Sequence, residues 1–325
     1  MIRIGARRSP LAVAQAQWTA QRLVALGHEC EVIGIDTLGD VDRRRLTEIG
    51  GTGIFATALR DRLRDQSIDV AVHSLKDLPV AAAPGLTIAA IPEREDVRDV
   101  LVGLDIDQWQ DGTVVGTGSP RRAVQLEALA AQRGVKITVV PIRGNVDTRL
   151  DLVRQGEVGA TLLAAAGLLR LGRLEAEQVT TPVTQSQDVQ VQDLRARLLS
   201  TELMLPAAGQ GALGVECRED ASDEVLTALA ELDHAATRAA VTAERCFLST
   251  LEAGCLAPVG AHAVVQGEDL TMQAVAGTQS TNDSAVVSAM RTGRAAEAEA
   301  VGAGLAREVL PSVQGGLDEK VEETR

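Results

Sequence analysis

The chain has 325 residues, enough for two or three domains, and 45% of them are hydrophobic, enough for real cores. Aromatic residues make up only 1%, so no run of stacking platforms for nucleic-acid bases is available, and a net charge of −13 argues against a general polyanion-binding surface. Any anion site is therefore local.

Taken in chain order, the first half alternates short apolar runs with helical patterns. Ile2–Ile4 reads as a strand, and Leu11–Leu26 as a helix opened by Ser9 as N-cap and Pro10 at the first helical position. Val32–Ile35 is a second strand, Ile54–Leu63 a helix and Val70–Val72 a third strand. The pattern then restarts. Val114–Gly116 is a strand, Ser119-Pro120 caps a helix to about Gln132, Ile137–Ile142 is a strand, Asp147–Arg154 a helix and Ala160–Leu163 a strand. Strands alternating with helices predict parallel sheet covered on both sides. The two Ser-Pro helix starts, each with paired arginines beside it, form a weak internal echo that predicts two similar α/β lobes.

Pro92–Asp99 and Leu205–Val215 read as crossings between lobes, and 173–201 as a Gln-rich extended connection. Beyond Ser222 come two helices (Glu224–Leu232, Ala236–Leu251), strands near Val259–Val265, Leu270–Ala276 and Ala285–Met290, and a helix at Ala295–Val309. That is a small α+β domain, followed by an acidic tail from Gly315 expected to be disordered.

Ligands of parallel sheets bind beyond the C-terminal strand ends, near helix N-termini that carry free N–H groups and partial positive charge. Arg7, Arg8, Arg121, Arg122, Arg143, Arg149 and Arg170 all fall at such places, and guanidinium forks suit carboxylates. As a set they point to an acidic ligand; singly, each also fits a solvated helix-end charge or a surface ion pair. After Val70–Val72 come His73, Ser74, Lys76 and Asp77, ended by Pro79. Lys76, one of only three lysines, beside Asp77 offers an anion anchor and a proton-handling carboxylate within one turn, although an ordinary Lys–Asp pair with a structural histidine would look the same. Cys255 sits in a loop between Gly254 and Pro258, as a nucleophile, an attachment point or simply a packed thiol. Cys30, Cys217, Cys246 and Cys255 match no zinc spacing, no metal cluster is expected, and Gly50, Gly51 and Gly53 lack the Lys-Ser/Thr of a Walker loop. The Met-Ile-Arg-Ile-Gly start has no signal-peptide pattern and no apolar run spans a bilayer, so a reducing cytoplasm with free thiols is expected.

Seven motifs in order carry a resemblance: Ala6-Arg7-Arg8-Ser9-Pro10-Leu11-Ala12, Val72-His73-Ser74-Leu75-Lys76-Asp77-Leu78-Pro79, Glu93-Arg94-Glu95-Asp96, Ser119-Pro120-Arg121-Arg122, Arg143-Gly144-Asn145-Val146, Gly209-Gln210-Gly211-Ala212 and Glu252-Ala253-Gly254-Cys255. Together they resemble hydroxymethylbilane synthases, also called porphobilinogen deaminases, from Ile4 to about Ala261. The resemblance implies three domains: 1–94 with 206–230, 95–205, and 231–325. The first two would be periplasmic-binding-protein-like lobes of mixed, mainly parallel sheet, the third a small α+β domain. It implies a dipyrromethane cofactor joined by a thioether to Cys255, onto which four porphobilinogen units add head to tail with loss of ammonia before hydrolytic release of a linear tetrapyrrole. Deamination leaves an electrophilic azafulvene, which Asp77 would stabilise through the pyrrole N–H groups while assisting proton transfer. Lys76, Ser119, Arg121 and Arg122 would hold cofactor carboxylates. Arg7, Ser9, Arg143, Arg149 and Arg170 would hold substrate or the extending chain, and Phe55 would pack on a pyrrole ring. A monomer with no nucleic-acid or membrane partner is expected.

The chain also departs from the family pattern. Thr52 stands where a lysine is usual, Glu48 occupies another basic position, Gly118 and Pro120 replace Ser and Leu, Asp147 replaces Gly, and the segment between Gly172 and Leu205 is long. Two alternatives stand beside the enzyme: a two-lobed binder of organic anions without turnover, which leaves Cys255 and the third domain unexplained, and a degenerate paralogue, supported only by Thr52 and Glu48.

Overall fold

A computed structural model describes residues 1–36, 54–252, 258–277 and 286–322. By contacts the chain divides into two units, Met1–Glu95 with Gly209–Ala239, and Asp96–Ala208 with Ala240–Arg325.

The first unit is built on a five-stranded sheet. Its strands are β1 (Ile2–Arg7), β2 (Cys30–Ile35), β3 (Val70–Ser74), β4 (Leu86–Ala90) and β11 (Leu213–Arg218), in the order β2-β1-β3-β11-β4. β1 runs parallel to β2 and β3, as the alternation of strands and helices predicts. β11 is antiparallel to both β3 and β4. Helices cover both faces. On one, α1 (Pro10–Ala25) and α6 (Asp223–Leu232) pack Ala16, Leu23, Val225 and Leu229 against Ile2, Ile4, Val70, Val72 and Val215. On the other, α2 (Ile54–Arg64) packs Leu59 and Leu63 against Ile35, Ile68 and Ala71. Adjacent residues of β3 thus serve opposite faces, the two-residue period of a strand. α1 starts where expected, with Pro10 in its first turn and the Ser9 hydroxyl accepting from Ala12 N at 3.4 Å.

The second unit holds a six-stranded sheet and a smaller one. β5 (Asp99–Gly103), β6 (Val114–Gly116), β7 (Thr138–Val140), β8 (Ala160–Ala164), β9 (Gln187–Val191) and β10 (Leu194–Leu199) lie in the order β7-β6-β8-β5-β10-β9. β6 is parallel to β7 and β8, whereas β5, β10 and β9 are added antiparallel. α3 (Pro120–Gln132) covers one face, and α4 (Val146–Arg154) with α5 (Ala165–Arg170) the other. The segment 173–201 is therefore ordered sheet at its end: a β9–β10 hairpin, its lead-in held by the fully buried Arg98. That guanidinium pairs with Asp96 at 2.6 Å and donates to Thr181 Oγ1 at 2.9 Å and to Gln185 O at 3.0 Å. Asp147, unusual for the family, has a structural partner here, Arg173 at 2.8 Å.

The same unit contains α7 (Ala235–Thr250) from Ala240 onward, the antiparallel sheet β12 (Val259–Gln266), β13 (Asp269–Gly277) and β14 (Val286–Arg294), and α8 (Ala298–Glu322). α8 runs past Gly315, so the expected disordered tail is helical to Glu322. The buried Glu244 of α7 ties helix to sheet by accepting from Ala263 N at 2.8 Å. α8 crosses α7 at Gly302, where an added Cβ would lie 2.1 Å from Ala243 O.

Candidate active site

β3 delivers its C-terminal end into a single 3-10 turn, Leu75–Asp77. Leu75 is buried and fixes the turn, its N–H donating to Ala212 O at 3.0 Å. Lys76 is half-buried and donates from Nζ to Gln210 Oε1 at 3.3 Å, while Asp77 is exposed. Gln210 is itself fully buried, and its carbonyl accepts from Arg94 Nε at 2.8 Å. The Gly209-Gln210-Gly211 loop and the Glu93-Arg94-Glu95 crossing thus brace the turn. Arg7 and Ser9 lie at the C-terminal end of β1, the strand beside β3. Arg8 pairs with Asp36 at 2.9 Å.

In the second unit Ser119, Arg121 and Arg122 follow β6, Arg143 follows β7, Arg149 lies in α4, and Arg170 ends the helix after β8. Ser119, Arg121 and Arg122 sit at the C-terminal end of β6 as expected, and Arg143 just beyond that of β7, whereas Arg149 and Arg170 lie within or at the far end of the following helices. Ser119 is the N-cap of α3, yet its side chain makes no capping bond. Asn145 caps α4 through Thr148 N at 2.9 Å, and Arg149 Nε donates to Gly144 O at 3.0 Å.

Arg121 and Arg122 turn inward more than their position suggests. Both are buried on Asp99, Arg121 at 2.8 Å from Oδ2 and Arg122 at 2.7 Å from Oδ1. Arg122 also donates to Leu162 O at 2.8 Å, and Arg121 to Leu205 O at 2.6 Å. Burial pushes the Arg121 guanidinium below its ordinary value, partly opposed by Asp99 and reinforced by the neighbouring Arg122. Two cations share one carboxylate, which leaves the cluster with a surplus of positive charge.

The Phe55 side chain, Cys255, Thr52 and Glu48 lie outside the described residues. Among the described residues no group of acids, histidines and cysteines could hold a metal ion, and no helix is long and apolar enough to cross a membrane. Burial pushes the Cys217 thiol up to about 11, which makes it a core residue and a poor nucleophile at neutral pH.

Sequence reasoning passed over Gln15, Gln210, Asp99 and Arg98. Gln15 had a readable signal. It stands on the same α1 stripe as the buried Ala16, Thr19 and Leu23, where a polar side chain needs a partner. That partner is Ser74 Oγ, at 2.8 Å from Nε2.

Two family models match: "Porphobilinogen deaminase, dipyromethane cofactor binding domain" over residues 2–226 and "Porphobilinogen deaminase, C-terminal domain" over residues 238–311. Porphobilinogen deaminase 1 of Streptomyces coelicolor is 47% identical over 329 residues, covering 97% of each chain. The porphobilinogen deaminase of Mycobacteroides abscessus is 45% identical over 322 residues, 95% of this chain and 97% of its own. Among solved structures, a periplasmic substrate-binding protein of an ABC transporter from Coxiella burnetii aligns with a TM-score of 0.39 at 14% identity, covering 71% of this chain and 91% of its own. These matches make the chain, with its two mixed α/β sheets and C-terminal domain, a transferase of tetrapyrrole biosynthesis. The chain belongs to the porphobilinogen deaminase family, and its N-terminal portion is that family's dipyrromethane cofactor-binding domain.

Proposed function

We infer that this chain is a hydroxymethylbilane synthase that condenses four porphobilinogen molecules head to tail, with loss of ammonia, and releases the linear tetrapyrrole by hydrolysis. The observation that carries the site assignment is the Lys76–Asp77 turn, with an exposed carboxylate and a half-buried ammonium on a braced strand end. Family membership along nearly the whole chain disfavours a binder without turnover. The degenerate-paralogue alternative rests on Thr52 and Glu48 alone and is answered by turnover.

The donor chemistry fits the cofactor. Dipyrromethane bears carboxylates, and Lys76, the Arg121–Arg122 pair and the Ser119 hydroxyl at a helix N-terminus are what carboxylates need. When bound through a thioether at Cys255, it supplies the pyrrole end from which the chain grows. Asp77 accepts hydrogen bonds from pyrrole N–H groups, offsets the positive charge that develops on the substrate as ammonia departs, and handles the proton transferred there. Arg7, Ser9, Arg143, Arg149 and Arg170 bind the acetate and propionate groups of incoming and added units, with Phe55 against a ring. The three-domain division, a monomeric state and a cytoplasmic location complete the reading; gel filtration tests the monomer.

Asp77→Ala is expected to fold and to make almost no tetrapyrrole in a porphobilinogen turnover assay; near-normal turnover would withdraw the role given to Asp77. Intact mass is expected to exceed the sequence mass by one dipyrromethane. Cys255→Ser should abolish that increment, and an adduct persisting in this variant would move the attachment elsewhere.

A further inference from the structure

β3 ends in His73 and Ser74, and the two faces of the sheet hold one each. Ser74 turns toward α1, where its hydroxyl accepts from Gln15 Nε2 at 2.8 Å and donates to Oε1 at 3.1 Å. His73 turns toward α2, into the layer of Leu59, Leu63, Ile68 and Ala71. In that apolar layer it meets two more ionisable groups. Glu216 of β11 is only 2% exposed. Its carboxylate receives Arg60 Nη2 at 2.9 Å and Nε at 3.1 Å, and its Oε2 faces His73 Nε2 at 3.3 Å. Burial alone raises Glu216, but His73 and Arg60 outweigh burial and hold it below the usual carboxylate range, so it is an anion at neutral pH.

Stability does not explain this arrangement. A buried ion pair is often no more stabilising than apolar residues of the same volume. Arg60 already satisfies the charge of Glu216, and the pair closes without His73. What the carboxylate adds is a fixed anionic oxygen 3.3 Å from the buried ring Nε2, a close contact rather than a formed hydrogen bond. His73 lies three residues before Lys76 and four before Asp77, and Leu75 is the only residue between Ser74 and Lys76. The direction in which the turn leaves the sheet therefore follows from how His73 and Ser74 are anchored.

We propose that His73 and Glu216 are positioning residues for the catalytic turn: Glu216 fixes the His73 ring on the α2 face while Gln15 fixes Ser74 on the α1 face, and the two anchors set the orientation of Lys76 and Asp77. Arg60 serves by neutralising Glu216. The inference rests on the reading of Asp77 as the catalytic carboxylate.

Two double substitutions separate positioning from packing. Arg60→Met with Glu216→Gln removes the ion pair and keeps a side-chain oxygen facing His73. Arg60→Met with Glu216→Leu removes the pair and the oxygen. Holoenzymes of both, checked by mass for the cofactor, are assayed for kcat and KM beside Asp77→Ala, and their thermal midpoints are recorded. The leucine double is expected to lose about 10- to 100-fold in kcat with KM nearly unchanged, the size of effect a displacement of about 1 Å produces. The glutamine double is expected to recover most of that loss, the two thermal midpoints lying close together. Equal kcat in the two doubles beside an inactive Asp77→Ala would overturn the positioning role alone. A kcat loss in the leucine double that only parallels a lower thermal midpoint would overturn it too. An active Asp77→Ala would instead remove the catalytic reading beneath it.

Discussion

Single residues around the turn have little room to change. Gly211 has φ +85°, and a Cβ there would sit 2.4 Å from Glu95 O, a backbone atom that cannot rotate away. Gly211→Ala must therefore displace Gln210 or the crossing at Glu95, and Gln210 is what Lys76 leans on. We expect a loss of roughly 1–3 kcal/mol from left-handed backbone strain, read as a lower urea midpoint, together with reduced kcat/KM. An unchanged midpoint would mean the loop relaxes freely. Arg98 is the other residue with no slack. Its guanidinium reaches a carboxylate, a hydroxyl and carbonyls at once with no exposure. Arg98→Ala leaves Asp96 buried without this partner and is expected to destabilise the second unit by about 3–5 kcal/mol. Arg98→Lys should recover little of it, because one ammonium cannot span the same oxygens. Trp109, buried in that unit, reports the transition by its fluorescence.

At the scale of elements, the parallel strands and the helices that follow them were legible, because both signals are local. Ser9-Pro10 and Ser119-Pro120 mark helix starts, and Val70-Ala71-Val72 is apolar enough to be buried on both faces. The strands of the small C-terminal sheet were legible too, but the antiparallel strands added to the two larger sheets were not. β11 carries Glu216 and Arg218 inside a run that reads as broken apolar pattern, and the partner that makes Glu216 tolerable there, Arg60, is 156 residues away. β10 likewise carries Arg195 and Arg197, with Arg197 answered by Asp105 at 3.0 Å across the sheet. A charge inside a strand reads as a loop until its distant partner is known. The same limit governs the site. Lys76, Asp77 and the strand-end arginines show in the motifs themselves. The braces behind them (Gln15, Asp99, Glu216) do not, and Gln210, though inside a motif, has no readable role there, since each acts through a contact that only the fold creates. Asp147 makes the point in reverse: a departure from the family pattern becomes an ordinary ion pair once Arg173 is beside it.

Over the whole molecule, acids outnumber bases by 45 to 32, and among the described residues several carboxylates that hold structure are paired with arginine. Burial raises Asp69, but Arg3 outweighs it and holds this carboxyl below its ordinary value. Arg173 does the same for Asp147 and Arg154 for Asp193, and His73 with Arg60 overcomes burial for Glu216. A carboxyl whose folded-state pKa lies below its unfolded one binds its proton more readily in the unfolded chain. Its contribution is therefore complete above about pH 4–5, where unfolded Asp and Glu are ionised, and is lost as the pH falls through the lowered folded value. Urea midpoints are expected to stay level from about pH 7 to 5 and to drop steeply below about pH 4. The buried Glu216 should weigh more in that drop than the exposed Asp193, whose pairing with Arg154 is screened by solvent. The Arg60→Met, Glu216→Leu double removes one such carboxylate together with its arginine, so its midpoint should fall less between pH 5 and 3 than that of the parent chain. Parallel acid profiles for the two proteins would mean that Glu216 is not held as an anion in the folded state, and the charged contact assigned to His73 would go with it.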